Sequence, residues 1–182
     1  MNKRLLPLGG LIAIVLIAFS FSACSVNKDF SFAIEKQFVV TGYNSLTYSS
    51  IDTVNARQSS SDFDKYKGDI SSLDISSATY TITYFSGPSS QKITSGTLSV
   101  GDVNGSAPKV IATVSDISLG SIMGTAQPLT LTADGKQYFK DLLMGGSSSA
   151  LLYFTATTNQ TPITFTVLFH FNLSATYSKS II

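Results

Sequence analysis

The sequence predicts a mainly β protein, an antiparallel β-sandwich of about seven to nine strands with one α-helix around residues 132–144. Three observations lead there. First, from Pro162 to Tyr177 the residues Ile163, Phe165, Val167, Phe169, Phe171 and Leu173 share one parity, and Thr164, Thr166, His170, Asn172 and Ser174 share the other. One dry face and one wet face mark a strand of an antiparallel sheet that covers a core on one side. Second, the chain has few charges, 13% of its residues, and many Ser, Thr, Tyr and Phe; Thr and aromatics favour strands, and Ser and Gly clusters punctuate them. Third, a capped helical stripe stands out at one place, between Leu129 and Gly146.

The chain opens differently. Lys3 and Arg4 precede a continuous apolar stretch from Leu11 to Phe19, and small residues then lead to Cys24. That is the three-part layout of a secretory signal peptide. Leu5 to Phe21 is short for a bilayer span, and Pro7, Gly9 and Gly10 weaken it as a retained helix. Cys24 is the one cysteine of the sequence, which excludes an intrachain disulfide and a multi-cysteine zinc site, so its position has to explain it. Phe21-Ser22-Ala23-Cys24 resembles the lipobox of bacterial lipoproteins. Ser22 and Ala23 match the small residues of that pattern, while Phe21 stands where an aliphatic residue is commonest. The resemblance implies signal-peptidase recognition at Phe21, Ser22 and Ala23, cleavage before Cys24, and diacylglycerol on its thiol. Two or three acyl chains anchor stably where one is marginal. It also implies a bacterial cell envelope, with Ser25 favouring the outer over the inner membrane in a Gram-negative cell. The expected organisation is a signal peptide over 1–23, a short tether over 24–29 carrying the lipid, and a single sandwich domain over 30–182.

In order along the mature chain, Phe30 to Val40 alternates as a half-buried strand, with Lys36 interrupting its apolar face. Tyr43 to Val54 reads as a weaker strand or irregular segment. Phe63, Tyr66, Ile70 and Leu73 fall at helical spacing, giving a short helix or ordered loop around Asp62 to Lys67. Ala78 to Phe85 is a strand, and Gly87-Pro88-Ser89-Ser90 is a turn. Ile93 to Val103 and Lys109 to Val114 form a hairpin around Asn104-Gly105, a pair suited to a type I′ turn. Leu119 to Pro128 reads as a loop. The helix follows, with Thr132 as N-cap, Asp134 in the first turn, an apolar stripe at Tyr138, Phe139, Leu142 and Leu143, and Gly145-Gly146 as its stop. Ala150 to Thr157 and Pro162 to Tyr177 close the chain; the last run is long enough to expect a bend or a bulge.

Charge and motif exclude several chemistries. The formal net charge of the whole chain is +1, Lys3 and Arg4 leave with the leader, and no basic stripe remains for nucleic acid. His170 is the one histidine, on the polar parity of the last strand, and no Gly-x-Ser-x-Gly motif supplies a nucleophile for it. Asp62, Asp64 and Asp69, with Asp74, have the oxygens a calcium ion takes, but Lys65 and Lys67 stand between them and repel a cation. Asp102-Val103-Asn104 begins like a calcium loop and fails further on, at Ala107 and Thr113. No cofactor is called for. The expected protein is a non-catalytic binding, adaptor or structural module held to the membrane by its lipid, with an envelope protein or a glycan as partner. Two alternatives stand beside it: a carrier of a lipophilic ligand in the sandwich core, and a carboxylate-dependent glycan hydrolase.

Overall fold

The computed structural model describes residues 24–105 and 107–181. The leader, and with it Phe21, Ser22 and Ala23, lies outside the described residues. Eight strands and four short helices follow in the order β1 (Cys24–Gly42), β2 (Thr47–Asn55), α1 (Ala56–Ser59), α2 (Ser61–Tyr66), β3 (Ile70–Ser86), β4 (Lys92–Gly101), β5 (Lys109–Ser118), α3 (Leu119–Ile122), β6 (Gln127–Pro128), α4 (Ala133–Met144), β7 (Ser149–Thr158) and β8 (Ile163–Ile181). They make two four-stranded sheets, β1-β8-β3-β6 and β2-β7-β4-β5, antiparallel throughout. The pairs β1:β8, β2:β7, β3:β6 and β4:β5 are successive rungs of one long folded-back ribbon. Joining β8 to β3 and β7 to β4 rolls that ribbon into a sandwich, the eight-stranded jelly-roll arrangement.

The two inner faces meet in one apolar core. Phe154 of β7 lies 5.3 Å from Phe169 and 6.5 Å from Phe165 of β8, and 5.8 Å from Phe38 of β1, ring centre to ring centre. All four rings are buried, and truncating one such ring costs about 3–5 kcal/mol. Helix α4 packs Phe139 edge-on against Phe171 at 5.2 Å. Its ends are those the sequence predicts: Gly135 N donates to Thr132 Oγ1 at 3.1 Å, and Gly145 N donates back to Leu142 O at 3.2 Å. Gly135 has to be glycine, because a Cβ there would stand 2.7 Å from the Ile111 Cα and 2.8 Å from the Val110 carbonyl of β5.

Strand β8 runs its full length in unbroken register with β1, without the bulge its length suggests. The irregularities sit on its other neighbour. Pairing of β3 with β8 shifts between Ile70 and Ser72, between Ile75 and Ser77, and between Ile82 and Tyr84. The three extra residues are Ser71, Ser76 and Thr83, and each hydroxyl donates to a β8 carbonyl: Thr176 O at 3.1 Å, Asn172 O at 3.1 Å and Thr166 O at 3.4 Å. In β4, paired with β7, the same device recurs at Thr94, whose hydroxyl donates to Thr157 O at 3.1 Å. In each case the acceptor is the carbonyl of the residue paired with the next position along. A bulge removes one backbone donor from the ladder, and a short hydroxyl side chain replaces it.

Four expectations from the sequence are corrected. Residues 24–29 are not a tether: they are the first six positions of β1, with Cys24 opposite Ile181 and Asp29 opposite Thr176. These polar residues form a strand because β8 supplies partners, Ser178 donating to Asn27 Oδ1 at 2.6 Å and Thr176 to Asp29 Oδ1 at 2.7 Å. Ile70 and Leu73 are not helical; α2 ends at Tyr66, and the three-residue spacing of this pair comes from the bulge at Ser71. The β4–β5 connection is not a two-residue type I′ turn, because Gly105 takes positive φ (+94°) and Asn104 does not. The Asp102 carboxylate organises it instead, accepting from Asn104 N at 2.8 Å and Nδ2 at 2.9 Å. The segment read as a loop from Leu119 contains the single turn α3 and the two-residue strand β6.

Candidate functional site

The sequence-predicted sites come apart in the fold. Asp62, Asp64 and Asp69 remain on the α2 connection, and Asp64 is taken by Arg57 Nε at 2.5 Å. Among the described residues no three metal-capable side chains gather. Asp52 and Asp74 are also engaged by cations. Lys36, which interrupts the apolar parity of β1, reaches Asp52 across the edge of the sandwich at 2.6 Å; Lys136 of α4 reaches Asp74 at 3.0 Å. The facing ammonium in each case is the main influence holding the carboxyl below the ordinary aspartate range. A void between the sheets, lined by Leu98, Ala112, Leu129, Phe154 and Phe169, has about 10 Å³, room for about one water and far too little for a lipophilic ligand. Among the described residues no helix is long and apolar enough to cross a membrane. Cys24 opens β1.

His170 lies on the outer face of the β1-β8-β3-β6 sheet, half-buried in a chain of polar side chains. Its Nδ1 is 2.8 Å from Glu35 Oε1 and its Nε2 is 2.9 Å from Asn172 Oδ1, while Asn172 Nδ2 donates to Ser77 Oγ at 2.9 Å. In this arrangement the amide turns its oxygen towards the ring, and both ring nitrogens face acceptors. That arrangement suits the imidazolium, which donates from both, and Asn172 first and Glu35 second raise the His170 pKa above its ordinary value. The chain spans β1, β8 and β3 and ties three strands together.

The outer face of β2-β7-β4-β5 is of another kind. Register places Thr47, Thr157, Ser95 and Ser115 in one row across the four strands, and Ser49, Thr155, Thr97 and Thr113 in the next. The third row holds Ile51, Tyr153 and Ser99, with Val110 beside Ser99. Among the described residues, charged side chains on this face occur only towards one end, at Lys92 and Asp116; Asp52 has the other parity of β2 and turns to Lys36, and Lys109, paired with the buried Val100, sets its Nζ over the Tyr138 ring of α4 at 4.5 Å. Facing hydroxyls pair across β2 and β7, Thr47 with Thr157 at 3.2 Å and Ser49 with Thr155 at 3.0 Å. Each such pair uses one hydrogen and one lone pair, and the rest of its bonding capacity faces outward. Ile51 is 52% exposed, and beside it an open depression of about 260 Å³ is lined by Ser49, Ser50, Ile51, Tyr153 and Thr155.

Sequence reasoning missed this surface. Its signal is the odd-numbered parity of Thr47 to Thr53 and of Leu151 to Thr157, free of charge on both strands. That signal means little until β2 and β7, far apart in sequence, are known to be neighbours.

No family model and no curated protein matches the chain. Among solved structures, a chain from desmodium yellow mottle tymovirus aligns over 100% of this chain and 97% of its own length, at 12% identity and a TM-score of 0.32. At that score the likeness supports neither a shared fold nor a shared activity.

Proposed function

We propose that the chain is a lipid-anchored protein of a bacterial cell envelope, in the outer membrane where the cell is Gram-negative, acting as a non-catalytic binding module close to the membrane. The observation that carries this reading is where β1 begins. The lipobox-like Phe21-Ser22-Ala23 runs directly into Cys24, and Cys24 is already paired with Ile181. A lipid on Cys24 would join the end of a sheet rather than a loop, which would keep the domain close to the bilayer. The surface left for a partner is the uncharged outer face of β2-β7-β4-β5.

Mass spectrometry of the protein recovered from envelopes of its host tests the anchor. The expected N-terminal peptide begins at Cys24 and carries two or three acyl chains, and Cys24→Ala leaves the protein unlipidated and in the soluble fraction. An intact, unmodified leader on the mature protein overturns the reading.

A further inference from the structure

The outer face of the second sheet has a composition that discriminates between classes of partner. Protein interfaces enrich Tyr, Trp, Met and Arg and deplete Ser, and their energetic centres under-represent Ser and Thr. Between its ends this face carries two rows made wholly of Ser and Thr, one Tyr, and no Arg. An anionic polymer, a nucleic acid or an anionic lipid surface calls for clustered cations, and among the described residues this face has a single lysine, Lys92, at its end. What remains is a neutral ligand that is itself dense in hydroxyls.

We propose that this face binds a neutral glycan chain laid across the strands along the Ile51–Tyr153–Ser99 row. The inference rests on the reading of the chain as a binding module and supplies the class of its ligand. A sugar ring presents C–H groups on its faces and hydroxyls around its rim. Ile51 and Tyr153, paired across β2 and β7, give the C–H face an apolar floor, and the tyrosine adds a polar tip. The neighbouring Ser49–Thr155 pair and Ser99 give the rim groups that both donate and accept, the property a hydroxyl ligand needs whichever way its own hydrogens turn. Successive rows recur at about 6.7 Å along the strands and side chains within a row at about 4.8 Å, so the contacts repeat in a plane, as an extended polymer requires and a compact small molecule does not. The depression of about 260 Å³ beside Ile51 is an open trough, which lets a chain pass through without an end.

The anchor and the ligand are also related in space. Lys36 of β1 reaches Asp52 of β2 at 2.6 Å, so the Ile51–Tyr153 row stands level with Lys36. Twelve strand positions separate Lys36 from Cys24, about 40 Å of extended chain. With the strands rising from the bilayer, the rows run parallel to it, and the glycan lies flat above the membrane at that height.

The test is affinity electrophoresis of the mature chain in detergent micelles through gels containing a soluble β-glucan, a mannan or chitin oligosaccharides coupled to the matrix, with alginate as the charged control. At least one neutral glycan is expected to retard the chain and alginate is not. Tyr153→Ala and Thr155→Lys are each expected to weaken that binding by roughly tenfold or more, Tyr153→Phe to keep most of it, and Glu35→Gln on the opposite face to leave it unchanged. Thermal melts of each variant separate lost binding from lost fold. Retardation by none of the neutral glycans, or retardation indifferent to Tyr153→Ala and Thr155→Lys, overturns the proposal. So does a concentration-dependent dimer in sedimentation that Thr155→Lys abolishes, since a second copy then covers the face. The acyl mass on Cys24, read from the same preparation, reports on the anchor independently: lipidated protein without glycan binding ends this inference alone, and glycan binding by unlipidated protein ends the anchor alone.

Discussion

The outer faces of the two sheets are built from similar residue types and satisfied in different ways. On β1-β8-β3-β6, side chains bond one another in lines that cross strands: Glu35, His170, Asn172 and Ser77 form one, Asp29 with Thr176 and Asn27 with Ser178 form others, and Ser71, Ser76 and Thr83 turn back to the ladder. Polar capacity there is spent within the sheet. On β2-β7-β4-β5 the hydroxyls meet in pairs, and the apolar Ile51 is left half in water beside Tyr153. The same Ser- and Thr-rich strand chemistry thus gives one face that holds its own sheet together and one whose bonding capacity points outward. Composition alone does not separate them; register does.

The largest effect tests how the first sheet keeps its faces apart. Remove Ser71, Ser76 and Thr83 on paper, and β3 alternates without a fault: Ile70, Leu73, Ile75, Ala78, Tyr80, Ile82 and Phe85 face in, and every residue between faces out. Deleting Ser76 therefore preserves every pair of the β3–β8 register and should cost about 1 kcal/mol, the value of one hydroxyl hydrogen bond and some local twist. Deleting Thr79, three positions on, inverts the parity from Tyr80 to Ile82, until the bulge at Thr83 resets it, and sends both of those buried side chains to water. Its cost should exceed about 4 kcal/mol, enough to leave the domain unfolded or nearly so. Urea unfolding of the two deletions decides it; equal losses would show that the bulges carry no register information.

The same device marks what the sequence can reveal. Strand β8 is legible from Ile163 to Tyr177 because its parity does not reset there, and α4 is legible because Thr132, Asp134 and Gly145 act locally. Strand β3 is visible only from Ala78 because two bulges before it put buried residues three apart, which mimics a helix at Ile70 and Leu73. The opening of β1 is hidden for a different reason: Asn27 and Asp29 find their side-chain partners in the Ser178 and Thr176 hydroxyls of β8, at the far end of the chain. The candidate binding face is hidden in the same way. Each row draws on β2, β7, β4 and β5, an order in space that no local pattern encodes.

A mid-sized effect probes what supports the second sheet from behind. Helix α4 starts against β5, with Thr132 N donating to Ile111 O at 2.8 Å and the Thr132 hydroxyl donating to Val110 O at 3.2 Å. Gly135→Ala puts a methyl within 2.7 Å of the Ile111 Cα, where backbone rather than a mobile side chain must yield. A loss of about 1–3 kcal/mol is expected in chemical denaturation. Because Val110 lies beside Ser99 on the outer face, the same variant should also weaken glycan binding, whereas Lys136→Ala, on the next helix position, should leave it unchanged.

The smallest effect lies on the first face and follows from His170. Its folded pKa is raised above the unfolded value of about 6.5, by Asn172 first and Glu35 second. The sign follows from linkage: this contribution is complete below the unfolded pKa and disappears as pH rises through the folded one. The ring is half-buried and Glu35 is well exposed, so solvent screens the pair, and the contribution should stay under about 0.5 kcal/mol. His170→Gln should therefore flatten stability between pH 6 and 8, removing a slight decline with rising pH, and leave glycan binding on the other sheet untouched at both pH values. Paired urea titrations of the wild type and variant at pH 5.5 and 8.5 read the difference. An unchanged pH dependence in the variant would mean that the Glu35–His170–Asn172 line does not favour the imidazolium, and that the first face is held together by its hydroxyl and amide bonds alone.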